Sequence, residues 1–187
     1  MKTDKFPKFI SDKARKLKIY TETVFPTKAG NIALRFINGN FRAKGFQGTT
    51  FKKWESTKRG KSILVDTGKL RASNYTTKQS GQVTIKNHMP YAKVHNEGFN
   101  KKVLVKAHHR NKYSKTKVGT GLFTKKGKER TKIMTFKSGE GKVRAHTRKM
   151  NIKQRQFIPT ESSPSPILNN AVMREVTKDI NKIMNND

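Results

Sequence analysis

Between Phe9 and Val24 the apolar positions Ala14, Leu17, Tyr20 or Thr21, and Val24 recur at three- to four-residue steps with basic residues between them, a spacing that predicts a helix. Pro26 has no amide hydrogen and disfavours helix in the residue before it, so it should end or kink that helix. Beyond it Ala29, Ile32, Ala33, Phe36 and Ile37 share one face of a second helix, up to the Asn-Gly-Asn stop at Asn38 to Asn40. Phe41 to Gly60 is rich in glycine and aromatics without a clear period, which predicts a loop pinned by Phe46, Phe51 and Trp54. Lys61 to Asp66 reads as a short strand, and Gln82 to Asn87 alternates Val83 and Ile85 with polar residues as a half-buried strand should. Between these strands Asp66 or Thr67 is placed to cap a short helical turn running through Ser73.

The pattern changes from Phe99 to Met150. VLVKA and KIMTFK alternate as strands do, around a glycine- and lysine-rich stretch, YSKTKVGTGLFTKKGKE, that reads as a hairpin tip. The segment is either an extended basic hairpin or disordered until it meets a partner. RQFIPTESSPSP then forms a rigid connector into a last helix capped by Ser165, with Pro166 in its first turn and an apolar stripe of Leu168, Val172, Val176, Ile180 and Ile183 or Met184. The elements predict an α+β fold in which N-terminal and C-terminal helices pack a small antiparallel sheet. Residues 1–98 and 151–187 form the core, and residues 99–150 are an extended basic β-hairpin-like insertion.

Charge sharpens this division. The 187 residues carry 43 Lys and Arg against 12 Asp and Glu, a formal net charge of +31. Self-repulsion on that scale opposes compaction unless salt or anionic partners screen it. Residues 99–150 hold 17 of the basic side chains against two glutamates, close to half of the net charge. The candidate contacts to DNA or to an acidic partner are Lys101, Lys102, Lys106, Arg110, Lys112, Lys115, Lys117, Lys125, Lys126, Lys128, Arg130, Lys142, Arg144, Arg148 and Lys149, interleaved with Tyr113, Phe123 and Phe136. The chain has no cysteine, which excludes disulfides and thiolate chemistry and suits a reducing compartment. It has no apolar run of signal-peptide or membrane-spanning length, so the expectation is a cytoplasmic, soluble protein without a membrane partner.

Three enzyme readings meet obstacles. LVDTG at Leu64 to Gly68 has the Asp-Thr-Gly turn with which aspartic proteases present a carboxylate, but that chemistry needs two carboxylates sharing a proton. Lys69 follows directly, where an ammonium would hold the carboxylates ionised, and the chain has no second such turn. The Gly-Lys pair does not make a phosphate loop, because Ile63 stands where the earlier glycine belongs and Leu70 replaces the magnesium-binding hydroxyl. Among His88, His95, His108, His109 and His146 no pair has the helical zinc spacing, and the lysines around them repel a cation. No enzyme, metal or cofactor is therefore expected, and His95 is expected to be structural on a short helix ended by Gly98.

Three stretches in order resemble the phage virion morphogenesis family, the tail-completion or neck proteins of Mu-like and related tailed phages. ILVDTGKLRAS supplies Thr67, Gly68, Leu70 and Ser73 of a Thr-Gly-x-Leu-x-x-Ser turn, with Asp66 before it. PYAKVHNEG supplies Tyr91, Ala92, His95 and Gly98, and RQFIP supplies Arg155 and Phe157 before the last helix. Trp54 in GFQGTTFKKWE is similar to the family's Gly-x-x-Trp loop. The likeness covers roughly residues 31–98 and 154–184; the 99–150 segment departs from it, since family members have a much shorter connection there. The resemblance implies a non-enzymatic virion protein at the head-tail junction, assembled in the host cytoplasm. It also implies a hexameric or larger ring and contacts with connector or portal-side proteins, with tail-tube or tail-sheath proteins, and with DNA in the channel. The motif residues would be scaffold. The other reading is a basic nucleic-acid-binding protein acting through residues 99–150.

Overall fold

The computed structural model describes residues 5–57 and 63–185 and has an α+β architecture. Two compact units divide the chain: residues 1–99 with 152–187, and residues 100–151. In the first unit, α1 (Lys5–Ile19) runs through one π-helical turn (Tyr20–Val24) directly into α2 (Phe25–Ala43). Pro26 therefore neither ends the helix nor separates two of them. It occupies the first turn of α2, where a missing amide hydrogen costs least. The hydroxyls of Thr21, Thr23 and Thr27 bond back to carbonyls of the preceding turn, at 2.7–3.2 Å.

The expected stop at Asn38 to Asn40 is also passed, and α2 closes only at Lys44, which takes the left-handed conformation (φ 52°). Both asparagine side chains have tertiary partners, and the amide of Asn38 also donates back to Leu34 O at 3.0 Å within the helix. Asn38 accepts from Arg71 Nε at 2.7 Å, and the fully buried Asn40 donates to Phe157 O at 3.1 Å. The α2 face predicted from spacing is the buried one: Ala29, Ala33, Phe36 and Ile37 are buried and Ile32 is half-buried. The predicted face of the first helical stretch is buried only in part: Tyr20 is buried and Leu17 half-buried, whereas Ala14, Thr21 and Val24 are exposed, and Lys13 is buried, donating to Ile183 O at 2.9 Å.

The strands form four separate two-stranded pairs among the described residues. β1 (Gly45–Gln47) pairs antiparallel with β2 (Phe51–Lys53), which gives the expected loop a hairpin. Phe46 and Trp54 anchor it, but Phe51 is 55% exposed and anchors nothing. The strand expected at Lys61 to Asp66 lies outside the described residues at its first two positions. Leu64 at φ 57° breaks the extended run in the rest, leaving Ile63 as a buried plug. After α3 (Lys69–Ala72), β3 (Asn74–Gln79) pairs antiparallel with β4 (Gln82–Asn87), and α2 packs on both. A Cβ at Gly30 would stand 3.1 Å from Thr76 Oγ1 and 3.3 Å from a Val83 methyl, so this helix-to-ribbon approach is close. β3, rich in Thr and Asn, has no apolar alternation by which sequence could mark it.

α4 (Ala92–Glu97) precedes the second unit, and α5 (Pro166–Asn185) ends the chain. Ser165 caps α5 as expected, accepting from Leu168 N at 3.2 Å and donating to Gln47 O at 2.6 Å. The apolar stripe of α5 is buried only at Leu168; Val172 and Val176 are half-buried, and Ile180 and Met184 are exposed. Farther along α5 the contact is ionic: Lys28 Nζ lies 2.6 Å from Asp179 and 2.9 Å from Glu175.

Lys28 hydrogen bonds hold Asp179 and Glu175 below the usual carboxylate range, and the two acids raise Lys28 above the usual ammonium range. A carboxylate with a lowered folded-state pKa stabilises the fold above its unfolded titration, at about pH 4, and loses that contribution as pH falls through the lower folded value. Asp179→Asn should cost about 1 kcal/mol at neutral pH, a small figure because Lys28 is 38% exposed and solvent screens the pair. Its denaturant midpoint should also fall less than that of the parent chain on acidification below pH ~4; equal acid sensitivity would contradict this account.

Candidate functional site

The sequence motifs converge on one irregular segment, residues 154–158, which belongs to no strand and is buried at Gln156 and Phe157, with Arg155 and Ile158 half-buried and Gln154 exposed. Phe157 is fully buried, its ring 5.2 Å from Phe41, and Phe41 meets Trp54 edge-on at 5.5 Å. A buried peptide group needs a hydrogen-bond partner, and with no neighbouring strand most of the partners here are side chains. Trp54 Nε1 donates to Gln156 O at 2.8 Å. Asn96 Oδ1 accepts from both Phe157 N and Ile158 N at 2.9 Å, and its Nδ2 donates to Ile158 O at 3.2 Å. Asn40 takes the Phe157 carbonyl, and Arg155 N donates to His95 O at 2.8 Å.

The Tyr91 to Gly98 motif builds the helix that carries Asn96. Tyr91 stands at the N-cap of α4, 41% exposed, with its ring edge-on to His95 at 5.9 Å; Ala92 is buried against the core. Gly98 ends α4 at φ 81°, and a Cβ there would lie 3.2–3.3 Å from Gln154 and Ile152 O, so conformation and space both ask for glycine. Asn96 is the residue that sequence reasoning missed. It lies between His95 and Gly98, and an amide in a short polar helix gives no sequence signal of burial.

In the first motif Leu70 is buried in the core, whereas Asp66 and Thr67 are exposed. The expected cap does not form. Gly68, at φ 78°, is the N-cap of α3, with no side-chain cap bond there, because its left-handed turn reverses the chain within one residue. Ser73 is held through its backbone, with N donating to Lys69 O and O accepting from His88 N. The side-chain ties belong to Asn74 and Asn87, also missed: Asn87 Nδ2 donates to Leu70 O and Asn74 Oδ1 at 2.9 Å, and Asn74 Nδ2 to Arg71 O at 2.9 Å.

His95 is half-buried, and its Nδ1 is buried without a hydrogen-bond partner. Burial, and then the charge of Arg155, push its pKa below the ordinary imidazole value. His88 stacks on Tyr75 at 4.1 Å, and the ring nitrogens of His108 and His146 close onto Lys106 O and Arg144 O at 2.9 and 3.0 Å. Among the described residues no three His, Cys, Asp or Glu side chains cluster as metal ligands, and no helix is long and apolar enough to cross a membrane.

The second unit is a cationic ribbon. β5 (Phe99–Val105) pairs with β8 (His146–Ile152), and β6 (His108–Phe123) pairs antiparallel with β7 (Glu129–Val143). The hairpin is longer than expected, since most of YSKTKVGTGLFTKKGKE is strand and only the residues between Phe123 and Glu129 turn. Lys101, Lys102, Lys106, Arg110, Lys112, Lys115, Lys117, Lys125, Lys126, Lys128, Arg130, Lys142, Arg144, Arg148 and Lys149 all belong to the second unit and are all exposed. Nothing in β6 or β7 is buried, so this hairpin has no core of its own.

No family model matches the chain, and no curated protein or solved structure does either.

Two substitutions test the site's architecture. Asn96→Ala strips partners from the buried Phe157 amide and from the half-buried amide and carbonyl of Ile158, and should cost about 2–4 kcal/mol in denaturant unfolding; a loss under about 0.5 kcal/mol would deny Asn96 that role. For His95, a folded pKa below the unfolded value means the unfolded chain binds the extra proton. Stability therefore falls as pH drops from about 6.5 through the lowered folded value. His95→Phe should flatten the stability profile in that window, read by thermal melts across the pH range.

Proposed function

We propose that this chain is a non-enzymatic structural subunit of a tailed-phage virion. It would act as a tail-completion or neck protein that joins the tail to the DNA-filled head as part of a ring. The observation that carries the reading is the convergence of the motif stretches. Leu70, Ala92 and Phe157 share one buried cluster with Trp54, and His95 and Gly98 shape the helix that holds Asn96 against the 154–158 segment. Residues that resemble a family's motif, in that family's order, here act on packing and backbone pairing. Those are the roles expected of a scaffold turn. In a closed ring each subunit offers two different faces to its neighbours, so much surface is covered only on assembly. The half-covered stripe of α5, with Ile180 36% and Met184 47% exposed, is consistent with such a subunit.

A second reading has its own observation. The ribbon of the second unit carries about half of the net charge on side chains that are all exposed, which suits nucleic acid. The two readings are compatible if the ribbon meets DNA at the head-tail junction.

Purified particles decide between them. The neck reading expects the protein in virions at ring stoichiometry, and tails left unjoined to heads when its gene is disrupted. A protein that stays monomeric and is missing from particles would sink that reading. Replacing residues 101–149 by a short loop separates the second: persistent particle assembly with loss of salt-sensitive DNA retention would make the ribbon the nucleic-acid element.

A further inference from the structure

The register of the ribbon sorts its side chains. Cross-strand partners share a face and neighbours along a strand alternate, so Tyr113, Lys115 and Lys117 lie on one face with Ile133, Lys137 and Lys142. Val118, Met134 and Phe136 lie on the other with Arg110, Lys112 and Lys132, so both faces carry cations. The irregularity after Lys112 leaves Ser138 unopposed, and it brings Glu140 to the face of Tyr113 and Lys115, where it meets Lys137 at 2.5 Å.

The end of the ribbon is ordered as well. Between Gly119 and Phe123 the register shifts, and Gly121, at φ 69°, donates its N–H to Glu129 Oε1 at 3.0 Å. Thr124 closes the turn: its N–H donates to Lys128 O, its carbonyl accepts from Gly127 N, and its hydroxyl accepts from Lys128 N. Leu122 and Phe123 enter this turn 62% and 65% exposed, followed by Lys125, Lys126 and Lys128.

We infer that the ribbon lies lengthwise along duplex DNA through the phosphates and that Leu122 and Phe123, at its tip, wedge against a base step. This rests on the second reading above. A strand rises about 3.3 Å per residue, so β6, at 16 residues, spans about 50 Å. Cations are spread along that whole length, as a linear polyanion requires and a compact acidic protein patch does not. Their composition fits backbone contact: residues 99–150 have 13 lysines to four arginines, and the ammonium is a point charge without the fork that reads guanine. Single-stranded nucleic acid is less well served. Tyr113 and Phe136 sit on opposite faces and Phe123 at the tip, so no row of rings offers a stacking platform. A two-stranded ribbon is narrow enough for the major groove, about 12 Å wide, and apolar side chains that enter a base step from the minor-groove side kink the duplex. A lipid surface would want its cations gathered at one depth beside the apolar tip, whereas Lys115, Lys117, Lys137 and Lys142 continue far behind it.

The test uses the full chain with a short mixed-sequence duplex end-labelled for energy transfer, the matching single strand, and phosphatidylserine vesicles. Duplex should bind more tightly than single strand, with a steep salt dependence and an end-to-end shortening on binding. A chain with Lys115, Lys117, Lys137 and Lys142 all changed to Gln should lower the log-log salt slope by about 3–4. Leu122→Ser with Phe123→Ser should keep that slope and lose most of the shortening. Unchanged shortening in the tip variant overturns the wedge while leaving the ribbon as a DNA-binding element. Absence of duplex binding at low salt, or stronger binding to vesicles or to single strand, overturns the nucleic-acid reading and the wedge with it. Thermal melts of both variants matching the parent chain would keep misfolding from mimicking either result, since every substituted side chain is exposed.

Discussion

The first unit depends on how a stretch of chain can be buried without belonging to a sheet. Residues 154–158 dip into the interior at Gln156 and the fully buried Phe157, and each amide or carbonyl hidden there costs free energy unless it is paired. A central strand would have two neighbours to pair with. This segment instead has the side chains of Trp54, Asn40 and Asn96, which reach it from the end of the first hairpin, the end of α2 and the last turn of α4. Those three elements are thereby held at fixed distance from one another. The aromatic contacts Phe41 to Trp54 and Phe41 to Phe157 fill the space among them. Loss of any one polar partner opens a buried donor or acceptor, and also loosens the packing that its element provides.

Some of this was legible in the sequence, for reasons that can be stated. The α2 face could be read because helix packing on the β3–β4 ribbon requires apolar residues at a regular spacing. The capping of α5 by Ser165 was readable because a side-chain acceptor followed by proline has few other uses. Asn38 and Asn40 misled because their side chains find partners inside a continuing helix: Arg71 and Phe157 O, distant in sequence, and for the Asn38 amide the carbonyl of Leu34 one turn back. Pro26 misled for a related reason: a π-turn before it lets one helix direction continue across a residue that cannot donate. The motif positions Leu70, Ala92 and Phe157 were legible as members of patterns, while Asn96, Asn74 and Asn87 were not. A buried asparagine is defined by the backbone groups it reaches, and those are set by the fold.

The second unit follows a different rule. A two-stranded ribbon is marginal in water, and β6 and β7 bury nothing to offset the repulsion among their lysines. Local devices define its shape: the irregularities after Lys112 and Gly119, the Thr124 turn, and the Lys137 to Glu140 pair. The strand breaks on its two sides share a small pattern, Lys106-Ala-His108 and Arg144-Ala-His146, each histidine closing onto the carbonyl of the basic residue two before it. Such contacts fix geometry without adding much stability.

Stability and partner binding are therefore coupled in the ribbon in a way they are not in the first unit. Screening or neutralising the lysines removes the main term that opposes the hairpin, so anything that binds the folded ribbon more tightly than the open chain adds to its stability by mass action. The same charges that make the free ribbon marginal make it respond strongly to a polyanion, because each neutralised phosphate releases counterions. In the first unit, by contrast, the dominant contacts are apolar or buried hydrogen bonds and change little with salt. The chain thus joins a body whose order comes from its own interior to an arm whose order is set by the ions around it.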